Sequence, residues 1–117
     1  MNIRSIVQEI KSENDKERRR IDLRIKQAHN EVERLKKDFL KIDEKMGKMV
    51  LFGSLAESNI DSINFDIDIA VKSKKYYRLV GRALESQFKI DVIDLDTIHE
   101  NIRKVINEHG KVIYEKK

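Results

Sequence analysis

Two short stretches carry residues whose types and spacing can do chemistry: Gly53-Ser54, and Asp66-Ile67-Asp68 a few residues later. Gly53-Ser54 closes the apolar run from Lys48. A glycine-serine step where a strand turns into a short helix offers backbone N–H groups suited to phosphate. On a strand, alternate residues share a face, so Asp66 and Asp68 project together while Ile67 and Ile69 point into a core. Two carboxylates that close repel each other unless a cation lies between them. Hard divalent ions such as Mg²⁺ accept carboxylate oxygens and share their remaining shell with substrate phosphates. A cation-holding pair beside a phosphate-holding turn points to phosphoryl or nucleotidyl transfer.

The elements that must position these residues follow from periodicity. Residues 1–46 contain no glycine or proline and are expected to be helical. From Ile21 the apolar positions run Ile21, Ile25, Ala28, Val32, Leu35, Phe39, Ile42 and Met46, alternating steps of four and three. Such a seam serves a coiled coil or a long helix laid along its own domain. A homo-oligomer through residues 21–46 is one reading, although it would set Asp38 against Asp43 of the partner helix. The upstream set Ile3, Val7 and Ile10 is out of phase with the seam, and Ser12–Asp15 is a candidate break.

After Gly47 the pattern shortens. Strands are expected at Lys48–Gly53, Phe65–Val71, Lys89–Leu95 and Lys111–Tyr114. One helical turn is expected at Ser54–Glu57. A helix over Lys74–Phe88 would present Tyr77, Val80, Leu84 and Phe88 on one face. Thr97 and Glu100 have the spacing of a capping box that opens a last helix, and Gly110 suits its end. The division is then a helical segment over 1–46 and a small α+β domain over 47–117.

Composition bounds the rest. The 117 residues include 39% charged side chains and no cysteine, which excludes disulfides and thiolate metal sites and fits a cytoplasmic protein. No apolar stretch is long enough for a membrane span. The net charge of +4 is interleaved along the chain, so nucleic acid is not an expected partner. The densest basic cluster, Lys16 to Arg20, is flanked by acids and reads as a solvated helix face before an RNA-binding stripe. Lys72, Lys74 and Lys75 read as a solvated helix start. His29, His99 and His109 lack ligand spacing.

A strand ending in Gly53-Ser54, a spacer, Asp66-x-Asp68 on the next strand and a further aspartate in Lys89–Asp96 (KIDVIDLD) resemble the signature of the DNA polymerase β-like nucleotidyltransferases. The small size resembles the minimal nucleotidyltransferase subgroup. The resemblance covers about residues 46–117 and implies an α+β fold, with helices packed on a small mixed sheet. It implies that Gly53 and Ser54 hold the phosphates of a nucleoside triphosphate, ATP being the expected one. It also implies that Asp66, Asp68 and a third carboxylate hold two Mg²⁺ ions and serve catalysis. Asp91 matches the family's third aspartate, and Asp94 is its rival; three residues apart, the two cannot share a strand face.

Small members of this family are commonly antitoxins, paired with a HEPN-domain ribonuclease toxin. The resemblance therefore implies AMP transfer to a hydroxyl of such a protein. Two positions depart from the family pattern. Glu57 stands where many members carry an arginine that reaches triphosphate, and Phe65 stands where serine is frequent. Both weigh toward an alternative, a binding module on a transferase scaffold that acts through its N-terminal helix.

Overall fold

Alternation at two residues and at three to four residues divides the chain into eight elements. A computed structural model describes residues 2–117. In order they are α1 (Ile3–Ile42), β1 (Lys48–Phe52), α2 (Gly53–Ala56), β2 (Ile67–Lys72), α3 (Tyr76–Leu84), β3 (Ile90–Asp94), α4 (Glu100–His109) and β4 (Lys111–Glu115). The strands form one mixed sheet in the order β3-β2-β1-β4. β1 runs antiparallel to both β2 and β4, and β2 runs parallel to β3. A parallel pair needs a crossover, which α3 supplies.

Period-two alternation gives the sheet two different faces. Met49, Leu51, Ile67, Ile69 and Val71 point to one side, where they join Leu35 and Phe39 of α1, Leu55 of α2 and Leu79 of α3 in the main core. Val50 and Ala70 point to the other side and are covered by Ile106 of α4 and by Leu95. The second cluster is small, so this side of the sheet is only partly roofed.

The seam of α1 is buried within its own chain. Ala28, Leu35, Phe39 and Met46 are fully inaccessible, and Ile21 and Val32 nearly so. Most of the apolar positions named for a homo-oligomer over 21–46 are therefore occupied within the chain, with Ile25 and Ile42 only partly buried. Intramolecular burial wins because the sheet presents a wide apolar face that α2 and α3 cover only in part. Nor does α1 break near Ser12–Asp15: the helix is continuous from Ile3. The Asn2 side chain caps it at the Arg4 N–H (3.0 Å), and an Arg18–Asp22 pair (3.0 Å) one turn apart supports the stretch beyond the domain.

α3 is shorter than its sequence pattern and is rotated from it. Leu79 and Ala83 face the core, whereas Tyr77 and Leu84 are 87% and 77% exposed. The chain leaves the helix after Leu84 because Ser86 is tied down: its hydroxyl donates to buried Glu31 of α1 (2.9 Å) and accepts from the Phe88 N–H. Phe88 then enters the core beneath the guanidinium of Arg24, 3.8 Å from the ring centroid.

α4 also starts later than expected. Thr97 and Ile98 donate their N–H groups to the Asp94 carbonyl in a turn, and His99 is the cap, its Nδ1 accepting from the Asn101 N–H (3.3 Å). Asp94 captures the residues that a Thr97 capping box would have used. Gly110 does follow α4, in extended geometry. A side chain there would press into the Ile106 carbonyl and Val50. Among the described residues, no helix is long and apolar enough to cross a membrane.

Candidate active site

The carboxylates lie on the partly roofed face of the sheet. Asp68 is on β2, and its strand partners are Phe52 of β1 and Asp91 of β3. In-register neighbours on adjacent strands point the same way, so Asp68 and Asp91 stand side by side. Asp66 precedes β2 by one residue, half-buried, with Oδ2 3.6 Å from the Lys89 ammonium. The Ile67 N–H, bonded to the Lys89 carbonyl (2.9 Å), keeps these two segments together.

This grouping has an electrostatic cost that falls on Asp68. Its carboxyl is raised from 3.8 to about 6, first by burial, then by the charges of Asp91 and Asp66, and last by a hydrogen bond to Asp91. Below about pH 6 a proton on Asp68 relieves the repulsion, and the Lys89 ammonium beside Asp66 offsets part of it.

Gly53 presses the turn against this row. It has φ +76°, in the left-handed region, at the junction of β1 and α2. An added Cβ would run into Oδ2 of Asp68. The position therefore requires glycine for both its backbone conformation and its closeness to the carboxylate. Ser54 follows and lines a cavity of about 230 Å³ with the loop Asn59–Asn64. As the first residues of a helical turn, Gly53 and Ser54 have N–H groups that the helix itself does not use.

Asp94 is placed elsewhere. Its strand partner is Val71, and its Oδ1 accepts from the Asp96 N–H (3.0 Å). It shapes the turn into α4, and its charge adds to burial in raising the Tyr76 phenol. Of the two rivals, it is Asp91 that the fold brings to Asp68.

The two departures from the family pattern also find local reasons. Phe65 shares the face of Ile67 and Ile69, and its ring packs 6.3 Å from that of Phe88. It packs against the core and, with Ser54, lines the cavity beside the α2 turn. Glu57 is exposed at the end of α2, with its carboxylate 3.7 Å from Nδ1 of His109 on α4. Sequence reasoning did not find Lys89 as the counter-ion of Asp66, nor the contact of Gly53 with Asp68. Both depend on strand register, for which the sequence carries no local signal.

Among the described residues, no three His, Cys, Asp or Glu side chains already converge as a finished metal cage. The donors present are nonetheless the right kind for a hard divalent cation: oxygens only, from two carboxylates on paired strands, with Asp66 two residues before Asp68 and beside the Lys89 ammonium. Such an ion would offset the charge these carboxylates share and compete with Lys89 for Asp66.

A row of carboxylates on a mixed sheet, beside a left-handed glycine turn, defines a nucleotidyltransferase-type domain. A family model for polymerase β nucleotidyltransferases matches residues 33–117, and the chain belongs to that family. The match begins within α1, so the last ten residues of α1, with Leu35 and Phe39, fall inside the family's pattern, whereas the buried positions from Ile21 to Val32 precede it. No curated protein matches the chain.

Solved structures share the fold. A toxin–antitoxin structure with AMP-PNP has a TM-score of 0.60 at 22% identity, over 73% of this chain and 74% of that one. The tri-AMPylated Shewanella oneidensis HEPN toxin in complex with MNT antitoxin has a TM-score of 0.52 at 21% identity, over 82% and 73%. The toxin–antitoxin MntA-HepT has a TM-score of 0.51 at 21% identity, over 81% and 73%.

Proposed function

We propose that this nucleotidyltransferase moves AMP from ATP to a hydroxyl of a protein, and that the acceptor is a HEPN-domain ribonuclease toxin for which the chain is the antitoxin. The observation that carries this reading is the pairing of Asp68 with Asp91, closed on one side by the left-handed turn at Gly53. The structural neighbours, which include a structure with AMP-PNP and an AMPylated HEPN toxin bound to its antitoxin, support the choice of nucleotide and acceptor. In this reading the backbone N–H groups of Gly53 and Ser54 hold the outer phosphates. Asp66, Asp68 and Asp91 hold Mg²⁺, which when bound stabilises charge on the attacking and leaving oxygens. Asp91 stands on the open face, where it takes the proton of the incoming hydroxyl. That oxygen forms a bond to the α-phosphorus as the bond to the bridging oxygen breaks, and pyrophosphate leaves.

The test is intact mass after incubation with each triphosphate and Mg²⁺, with and without the product of the neighbouring gene. One or more added AMP groups on the partner are expected. Transfer that survives in the Asp66→Ala/Asp68→Ala double variant would refute the assignment of these carboxylates.

A second reading, a binding module with lost catalysis, is favoured by one feature: Glu57 places a negative charge beside the turn that would hold triphosphate. It wins if no triphosphate with Mg²⁺ shifts the melting temperature while a helical partner co-purifies.

A further inference from the structure

Asp68 sits at the start of β2, and a different chemistry gathers at its other end. A cavity of about 400 Å³ there is lined by Lys45, Lys72, Lys74, Lys75 and Lys116, with Asp43 and Ser73 among the remaining residues. The five lysines come from the α1–β1 connection, the end of β2, the entry to α3 and the residue after β4.

A backbone network brings them together. Gly47 donates its N–H to the Lys72 carbonyl (2.8 Å), and its own carbonyl accepts from the Lys116 N–H (2.9 Å). The wall carrying Lys45 and Lys75 is held by Asp43, a carboxylate that is only 5% exposed. Its Oδ1 accepts from the Lys45 N–H (2.9 Å) and its Oδ2 from the Ser73 hydroxyl (2.6 Å), which in turn accepts from the Lys75 N–H (3.0 Å). Asp43 is therefore satisfied by backbone and hydroxyl donors and neutralises no lysine directly. Among the described residues, none of the five ammonium groups enters an ion pair; Lys75 alone makes a side-chain hydrogen bond, to the Ile42 carbonyl (3.1 Å). Asp96 is the one other acid in the lining.

We propose that this pocket is a binding site for a ligand bearing two or more adjacent phosphates. Like charges held in a concave site repel one another and attract a compact polyanion, and ammonium groups serve phosphate as point charges. The cavity is of a size that takes a short phosphate chain. Two sources share this chemistry: a free polyphosphate, or the backbone of a single-stranded nucleic acid. The site lies at the opposite end of β2 from the carboxylates, so it stands or falls independently of the transfer reaction.

The test uses the full chain in EDTA, which removes divalent cations from the carboxylate row. Calorimetry or fluorescence anisotropy follows binding of inorganic tripolyphosphate, and separately of a single-stranded RNA without terminal phosphates. A Lys45→Gln/Lys74→Gln/Lys116→Gln variant is compared with Lys26→Gln/Lys37→Gln/Lys104→Gln, which removes the same charge elsewhere. All six side chains are on exposed residues, so both variants should keep the native melting behaviour. The pocket variant is expected to lose about tenfold or more in affinity, with a salt slope shallower by about 2 for RNA, and the control to change little. Tripolyphosphate bound without RNA would name the free anion as the source, and RNA bound with the same losses would name the nucleic-acid backbone. Equal losses in both triple variants, or no binding of either ligand at low salt, would overturn the proposal.

Discussion

A proton on Asp68 has consequences for stability as well as for metal binding. Its carboxyl titrates at 3.8 when unperturbed and at about 6 in the fold. Between those values the folded chain holds a proton that the unfolded chain has released. The contribution is fully present below 3.8 and disappears as pH rises through about 6. In metal-free protein, stability should therefore fall over this window, by on the order of 1 kcal/mol once solvent screening of this half-exposed group is allowed for. Asp68→Asn keeps the shape and removes the charge. In EDTA near neutral pH it should melt above the wild-type chain and lose this pH dependence; an unchanged pH profile would count against the assigned cause. Asp91→Asn should abolish nucleotide transfer, whereas Asp94→Asn should leave chemistry intact and alter only the turn into α4. The reverse outcome in a transfer assay would exchange their roles. Gly53→Ala should lower stability by about 1–2 kcal/mol, read by denaturant melts, because alanine strains the left-handed backbone and its methyl displaces Asp68.

At the scale of elements, α1 is two things joined end to end. From Ile21 its seam is core, and Leu35→Ala should cost about 2–5 kcal/mol as a cavity opens beneath the sheet. Before Ser12 the helix touches nothing that buries it: Ile3, Val7 and Ile10 are all exposed. Deleting residues 2–14 should therefore move the melting temperature by no more than about 2 °C, since Arg18, which bonds the Ile60 carbonyl (3.2 Å), is retained. A large loss would mean that the projecting turns stabilise the domain through contacts the fold does not contain. Most elements are legible in the sequence because each keeps one period over its length, as the strands around Val50 and Ile69 do. The exceptions are instructive. The pattern in α3 includes Tyr77 and Leu84, yet Leu79 and Ala83 face the core, because the Ser86–Glu31 bond sets where the helix stops and how it is turned.

The whole molecule is elongated, 64 × 29 × 22 Å, with a radius of gyration of 17.9 Å. A compact chain of this length would have about 13 Å. Small-angle scattering should return a value near the larger figure for a monomer and a clear decrease after the 2–14 deletion. Ligand linkage acts at this scale too. If the carboxylate row and the Gly53 turn hold a triphosphate with Mg²⁺, saturation at about 100 times Kd should stabilise the fold by about 2.7 kcal/mol, visible as a higher melting temperature. That rise should be absent in Asp66→Ala/Asp68→Ala.

The sequence by itself determined the local chemistry: a glycine-serine turn, two carboxylates two residues apart at the start of a strand, and a seam long enough to cover a sheet. These are readable because alternation and helical spacing act between near neighbours. Only the tertiary structure decided which distant groups meet. Asp91, not Asp94, stands beside Asp68 because β2 and β3 pair in that register. Lys89 reaches Asp66 for the same reason, Gly53 is pinned by Asp68, and the Ile21–Met46 seam is spent inside the chain. Lys72, Lys74 and Lys75 look in sequence like an ordinary solvated helix start. They become the wall of a charged pocket only when Gly47 ties Lys116 to one side and buried Asp43 ties Lys45 to the other. Strand register and backbone hydrogen bonds between remote segments are set by the packing of the whole sheet, and no short stretch of sequence encodes them alone.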